Sequence, residues 1–200
     1  MTNISRRNFL RNSTTGFASI ALTSKPISLW AQPSRGINGQ SAPELNVPYW
    51  IDSRGKETDA FAIASNQGKW IILKCFQNWC PGCHSAGFPA LQKITAAFKD
   101  NQQVAIAAIQ TTFEGFSTNT QDALLKNQQR YQLAIPFGHD AGDELAPHGN
   151  IKRRPTTMVS YRTGGTPWFI VIDPSGKVVY NHFHINADKL IEILQKETIG

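Results

Sequence analysis

Two cysteines separated by two residues, in Trp79-Cys80-Pro81-Gly82-Cys83-His84, stand between an apolar run over Trp70–Phe76 and a helical pattern over residues 85–98. The run, interrupted by a single charge at Lys74, reads as a buried strand. The motif therefore occupies a strand-to-helix turn, which constrains both the fold and the chemistry. Cys80, at the helix N-terminus, meets unpaired amides and the positive end of the macrodipole, and both favour a thiolate over a thiol. Cys83 follows about one turn later, within reach of the first sulfur. This is the geometry of a reversible redox disulfide.

The same spelling has two other readings. C-x-x-C-H marks covalent haem attachment, with His84 as iron ligand, and C-x-x-C is half of many zinc sites. Structural zinc wants four ligands, and the only other cysteine, Cys75, lies in the strand, where it reads as a small buried hydrophobe. His182 and His184 share a strand face without a third ligand, so no metal is expected. A cytochrome explains neither the buried strand before the motif nor the Gly165-Thr166-Pro167 segment before a second apolar run, and Met158 is the one methionine axial partner past residue 31. With a redox pair, His84 has two readings, a tuning residue that supplies charge to the cysteines and a solvent-facing helix residue, of which the second is the more ordinary.

Residues 1–31 hold Arg6, Arg7, Arg11 and Lys25, no acid, and a short apolar segment over 16–22, the pattern of a secretory leader too short to span a membrane. Ser5-Arg6-Arg7-Asn8-Phe9-Leu10-Arg11 resembles a twin-arginine export signal, so a periplasmic location is expected, with cleavage after Ala31. The leader takes four of the twenty basic residues and none of the fourteen acids, leaving a net charge of +2. The basic pI is then largely a property of the leader and is no sign of nucleic-acid binding. Lys152-Arg153-Arg154, the one compact basic cluster, reads as a solvated loop.

Residues 32–46, rich in Gly, Pro and Ser, read as a flexible leader, and 47–200 as one domain. A short strand over 47–51 precedes a turn, a single helical turn over 60–65, and the Trp70–Phe76 strand. The helix that starts at Cys80 or Pro81 contains Pro89, which should kink it. Next come a continuous apolar strand over 104–109, a helix over 120–131 capped by Asn119 or Thr120, and a short strand over 134–137. Residues 138–155 read as a long surface loop and 155–162 as a short helix. The strand Trp168–Ile172, the turn Asp173-Pro174-Ser175-Gly176 and a partner strand over 177–182 form a hairpin, and a helix over 187–196 closes the chain. The pattern is α/β, alternating in front and antiparallel behind.

This order, with W-C-P-G-C at the first long strand-helix turn and Gly165-Thr166-Pro167 directly before the hairpin, resembles the thioredoxin fold. In detail it is similar to the periplasmic TlpA/ResA-like thiol-disulfide oxidoreductases over about residues 47–196. The resemblance implies a three-layer sandwich, a central mixed sheet with helices on both faces. It also implies a cis bond at Pro167 facing the cysteines, with Thr166 offering its backbone to an extended substrate chain. Trp79, Pro81 and Gly82 would complete the docking surface, Cys80 and Cys83 would be catalytic, and no cofactor beyond their disulfide would be needed. Partners would be protein thiols and disulfides, with a membrane thiol-disulfide electron donor; neither nucleic acid nor stable membrane insertion is expected. Two departures stand out. The family's usual buried Asp falls at Lys74, and the Glu of the ResA-like proteins falls at Ala86. An inward Lys74 ammonium would favour the Cys80 thiolate and make the couple more oxidising; a solvent-facing one would not. A thiol peroxidase of the AhpC/TSA type shares the fold, but would have Thr or Ser at the position of Gln77.

Overall fold

A computed structural model describes residues 35–142 and 154–198. The twin-arginine segment, Lys152 and Arg153 lie outside the described residues. Six strands form one sheet in the order β1-β4-β3-β2-β5-β6. They are β1 (Tyr49–Ile51), β2 (Trp70–Phe76), β3 (Val104–Thr112), β4 (Phe137–Ala141), β5 (Trp168–Ile172) and β6 (Val178–His182). The helices are α1 (Phe88–Ala97), α2 (Gln121–Arg130), α3 (Thr156–Ser160) and α4 (Ala187–Thr198). β2, β3 and β4 run parallel, while β1, β5 and β6 pair antiparallel to their neighbours. This is a thioredoxin-like fold of the α/β class. Among the described residues no helix is long and apolar enough to cross a membrane.

Strand alternation divides the core in two. Ile72 and Phe76 of β2 join Phe88, Leu91 and Ile94 of α1, Leu124 of α2 and Leu194 of α4 on one side of the sheet. Ile71, Leu73 and Cys75 face the other way, with Trp50, Ile109, Trp168 and Ile170. Three helices cover the first face. Much of the second is covered by chain without regular structure, because Ile37, Leu45 and Val47 pack there beside Ile63 and Tyr161.

The flexible leader expected over 32–46 is therefore corrected for residues 35–46, which dock on the sheet. The amides of Gly36, Gly39 and Ala42 donate to the carbonyls of Arg162, Val178 and Gly176. Tyr161 Oη donates to the Pro43 carbonyl at 2.6 Å, and the Glu44 carboxylate accepts from the amides of Ile63 and Ala64. Gly and Pro punctuate this segment without making it mobile, since Ile37 and Leu45 have a sheet face to cover.

The loop expected from residue 138 is also corrected. The fourth strand is shifted to Phe137–Ala141 and buried as far as Asp140. Gly138 is required there, since a Cβ would stand 2.9 Å from the Trp50 indole of the neighbouring strand. The Asp140 carboxylate accepts the amides of Thr156 and Thr157 at 2.9 and 2.7 Å, which secures the start of α3. Thr120 occupies the cap position of α2 but makes no side-chain cap bond.

Candidate active site

β2 carries the chain to the site and ends at Phe76. The Cys80 amide donates to the Gln77 carbonyl at 3.2 Å, which closes the turn, and helical backbone begins at Pro81. The Cys83 amide donates to the Cys80 carbonyl at 3.1 Å and also to Cys80 Sγ at 3.3 Å. An amide aimed at this sulfur stabilises negative charge on it, as expected of a thiol at a helix start. Both cysteines are free thiols here. Cys80 S–H donates to the Thr166 carbonyl at 3.4 Å. Cys83 lies deeper, wholly buried; its thiol is pushed up to about 11, chiefly by burial, against which the Lys74 cation acts.

The Thr166–Pro167 bond is cis. Pro167 packs on the helix start: a Cβ at Gly82 would lie 3.3 Å from Pro167 Cδ, and one at Gly87 would lie 2.9 Å from Pro167 Cβ. Residues 82 and 167, far apart in sequence, thus meet beside the thiols, with the Thr166 carbonyl facing Cys80. Pro81 is exposed. The Trp79 side chain, 45% exposed, lies over Gly115, whose φ of +59° and lack of a Cβ make the contact possible; a methyl group there would stand 2.7 Å from the indole. The expected docking residues Trp79, Pro81, Gly82, Thr166 and Pro167 are therefore gathered around Cys80.

His84 requires a correction. It does not face solvent: Nδ1 lies 2.6 Å from Tyr131 Oη and Nε2 lies 2.5 Å from the Asn78 carbonyl. A carbonyl only accepts, so Nε2 carries the proton, and in the neutral ring Nδ1 accepts from the tyrosine hydroxyl. His84 ties the active-site turn to the end of α2. Both ring nitrogens are occupied, which leaves neither free to ligate haem iron. Among the described residues no group of three His, Cys, Asp or Glu side chains is placed to hold a metal ion.

The two alternatives for Lys74 are resolved inward. Its side chain is completely buried, on the α1 face of β2, with Nζ 3.7 Å from the Phe88 ring centroid and 4.9 Å from that of Phe76. Burial lowers its pKa from 10.5 to about 8, while the neighbouring Cys83, Cys75 and Cys80 act in the opposite sense. Among the described residues Nζ has no hydrogen-bond partner. Cys75 projects to the opposite face, and burial raises its thiol far above the ordinary range. Ala86 is exposed.

Residues outside the motif also build the site. Asn119 Oδ1 accepts from the Asn78 amide at 2.6 Å and from Gln110 Nε2 at 3.3 Å, while its Nδ2 donates to the carbonyls of Glu114 and Gly115. Asn127 Nδ2 donates to Asn78 Oδ1 at 2.8 Å. These amides fix the turn below Trp79, and nothing in their local spacing marks them; Asn119 reads from sequence only as a helix cap.

Residues 38–181 match the AhpC/TSA family. The chain belongs to that family. Similar solved structures include a thioredoxin-like superfamily protein with 31% identity and a TM-score of 0.65, over 80% of this chain and 96% of that one. A thiol-disulfide isomerase from Corynebacterium glutamicum shares 27% identity with a TM-score of 0.63, over 80% and 96%. The thioredoxin domain of a thiol-disulfide oxidoreductase from Bacteroides vulgatus, at 20% identity and a TM-score of 0.55 over 81% and 98%, speaks for the fold alone. No curated protein matches the chain. This AhpC/TSA-family chain stands among the thioredoxin-fold thiol oxidoreductases, and its cysteines lie where that fold joins strand to helix.

Proposed function

We propose that the protein exchanges a Cys80–Cys83 dithiol for a disulfide with partner proteins. The observation that carries the reading is the setting of Cys80 Sγ, which meets the Cys83 amide on one side and the Thr166 carbonyl on the other. In the reducing direction the Cys80 thiolate attacks a partner disulfide and expels one partner thiolate, and Cys83 then attacks Cys80 Sγ to release the second. In the oxidising direction a partner thiolate attacks the Cys80–Cys83 disulfide. An extended partner segment would pair with the backbone at Thr166, with Trp79, Pro81 and Gly82 around the sulfur. We place the protein in the TlpA/ResA-like branch, exported to the periplasm by its twin-arginine leader and served by a membrane thiol-disulfide electron donor. The Cys83→Ala variant should accumulate mixed disulfides through Cys80 in periplasmic extracts, visible on non-reducing gels. An empty trap counts against the reading.

Family membership favours one second reading, a thiol peroxidase, in which Cys80 would be oxidised by peroxide and resolved by Cys83. Gln77 in place of Thr or Ser argues against it. Peroxide consumption with a dithiol reductant separates the two: protein exchange predicts negligible turnover.

A further inference from the structure

We propose that Arg35 selects the partners of the exchange reaction, its guanidinium taking an Asp or Glu side chain that stands about two residues from the cysteine of the partner segment. The inference rests on the dithiol-exchange reading above and gives that site a substrate class. It starts from Gly164, which precedes Thr166 by two residues. A Cβ built at Gly164 would stand 2.7 Å from Arg35 Cδ and 2.8 Å from Arg35 Nη1. The arginine therefore fills the place that a side chain at residue 164 would take.

Several contacts hold Arg35 there. The Gly36 amide donates to the Arg162 carbonyl at 2.9 Å, which ties the start of the docked segment to the chain just before Gly164. Gly36, at a φ of +82°, lies so close to Asn181 that a Cβ would meet its carbonyl oxygen at 2.9 Å. Arg35 Cζ stands 5.7 Å from the centroid of the Phe183 ring, and the same ring lies against Gly165, where a Cβ would be 3.3 Å from Phe183 Cε1. A ring face orients a guanidinium while leaving the N–H groups at its edge free to donate. Arg35 remains exposed.

The backbone beside this cation is open to a partner. Gly164, Gly165 and Thr166 are only partly buried, and among the described residues their amides donate to no other backbone group. The Thr166 carbonyl faces Cys80 Sγ at 3.4 Å. An extended partner segment lying along residues 164–166 finds donors there, and brings its cysteine to Cys80 beside Thr166. In paired extended chains, residues directly opposite point their side chains to one face, and residues two apart share that face. The partner residue opposite Gly164 therefore meets the Arg35 guanidinium. A fork of N–H donors matches a carboxylate in two-point contact, so an acidic side chain fits this position and a basic one is repelled.

The test uses the reduced full-length protein and synthetic heptapeptides whose central cysteine is activated as a 4-thiopyridyl mixed disulfide, which has an uncharged leaving group. Cys80 Sγ bonds to the peptide sulfur as the bond to the thiopyridyl sulfur breaks, and the released thiopyridone reports the rate by absorbance. A single Asp is moved through the three positions on each side of the cysteine, with an Asn control at each. Two residues from the cysteine, on one side, the Asp peptide should react about two- to fivefold faster than its Asn control at low salt. The ratio should fall towards one at about 0.5 M salt. Arg35→Met should bring the ratio to one at low salt, and Arg35→Glu should make a Lys peptide the faster one. Equal rates for Asp and Asn at every position overturn the assignment. So does an acceleration equal at all six positions, which reports only net charge, or a preference that survives Arg35→Met. The parent series decides even if neither variant folds. Failure of the parent to react with any of the peptides overturns the exchange reading itself.

Discussion

At Gly87 the site has room for a hydrogen and little more. A methyl group there would meet both Lys74 Cε and Pro167 Cβ at 2.9 Å, so β2, the active-site turn and the cis-proline segment are packed against one another at a single residue. The lysine in this contact affects stability as well as chemistry. Its pKa falls from 10.5 in water to about 8 because burial disfavours the cation. Between those values the unfolded chain binds the extra proton and the folded one does not, so Lys74 opposes folding fully below pH 8, and its penalty fades as pH rises towards 10.5. Replacing Lys74 with Met removes the penalty at similar volume. Urea unfolding should show the variant more stable at pH 7 by about 2–3 kcal/mol, with the gain nearly gone at pH 10. Both proteins keep their cysteines, so the thiol titrations cancel in the difference. A gain independent of pH would mean that the amine is not a buried cation at neutral pH.

At the scale of the element, the turn between β2 and α1 follows from one proline. Pro89 has no amide hydrogen, and in an α register its ring would crowd the Ser85 carbonyl four residues back. The chain instead widens into a π-turn over Cys83–Gly87, where the Phe88 amide donates to the Cys83 carbonyl five residues earlier, and α1 begins with the proline in its first two positions. The widened turn carries Cys83 and His84, and so sets where Cys83 faces Cys80 and where His84 reaches Tyr131. Pro89→Ala would let the helix continue in the α register and rotate both residues. The variant should stay folded but close its disulfide about tenfold to a hundredfold more slowly, measured in stopped flow with 5,5′-dithiobis(2-nitrobenzoate), where the first thionitrobenzoate released reports attack by Cys80 and the second reports closure by Cys83. The kink was legible as a proline inside a helical pattern; its form as a π-turn, and the capture of His84 by Tyr131, depended on α2 lying where it does.

The whole molecule is asymmetric about its sheet. One face is covered by α1, α2 and α4, while much of the other is covered by residues 35–47, whose Ile37 and Leu45 are as buried as the strands beneath them. Burial of two aliphatic side chains contributes about 3–6 kcal/mol, a large part of a typical domain's net stability. A chain beginning at Val47 should therefore melt at least about 10 °C below one beginning at Arg35, measured by circular dichroism. Equal melting temperatures would show that the segment adds no net stability.

The sequence by itself determined the parts governed by local pattern. An apolar run before C-x-x-C specifies a strand entering a helix, and Trp168–Ile172 before Asp173-Pro174-Ser175-Gly176 specifies a hairpin. Each depends on residues within a few positions of one another, whereas the cis bond at Thr166-Pro167 was implied only by the family resemblance and the distant cysteine pair. Tertiary structure decided the rest. β4 was hidden because Gly138, His139 and Asp140 have poor strand propensity, and Trp50 from β1 and the amides of α3 make those residues fit. The docking of residues 35–46 rests on aliphatics with no period. The direction of Lys74 could not be read from its strand position, because it is the packing of α1 and its Phe88 ring above the strand that excludes water from the amine.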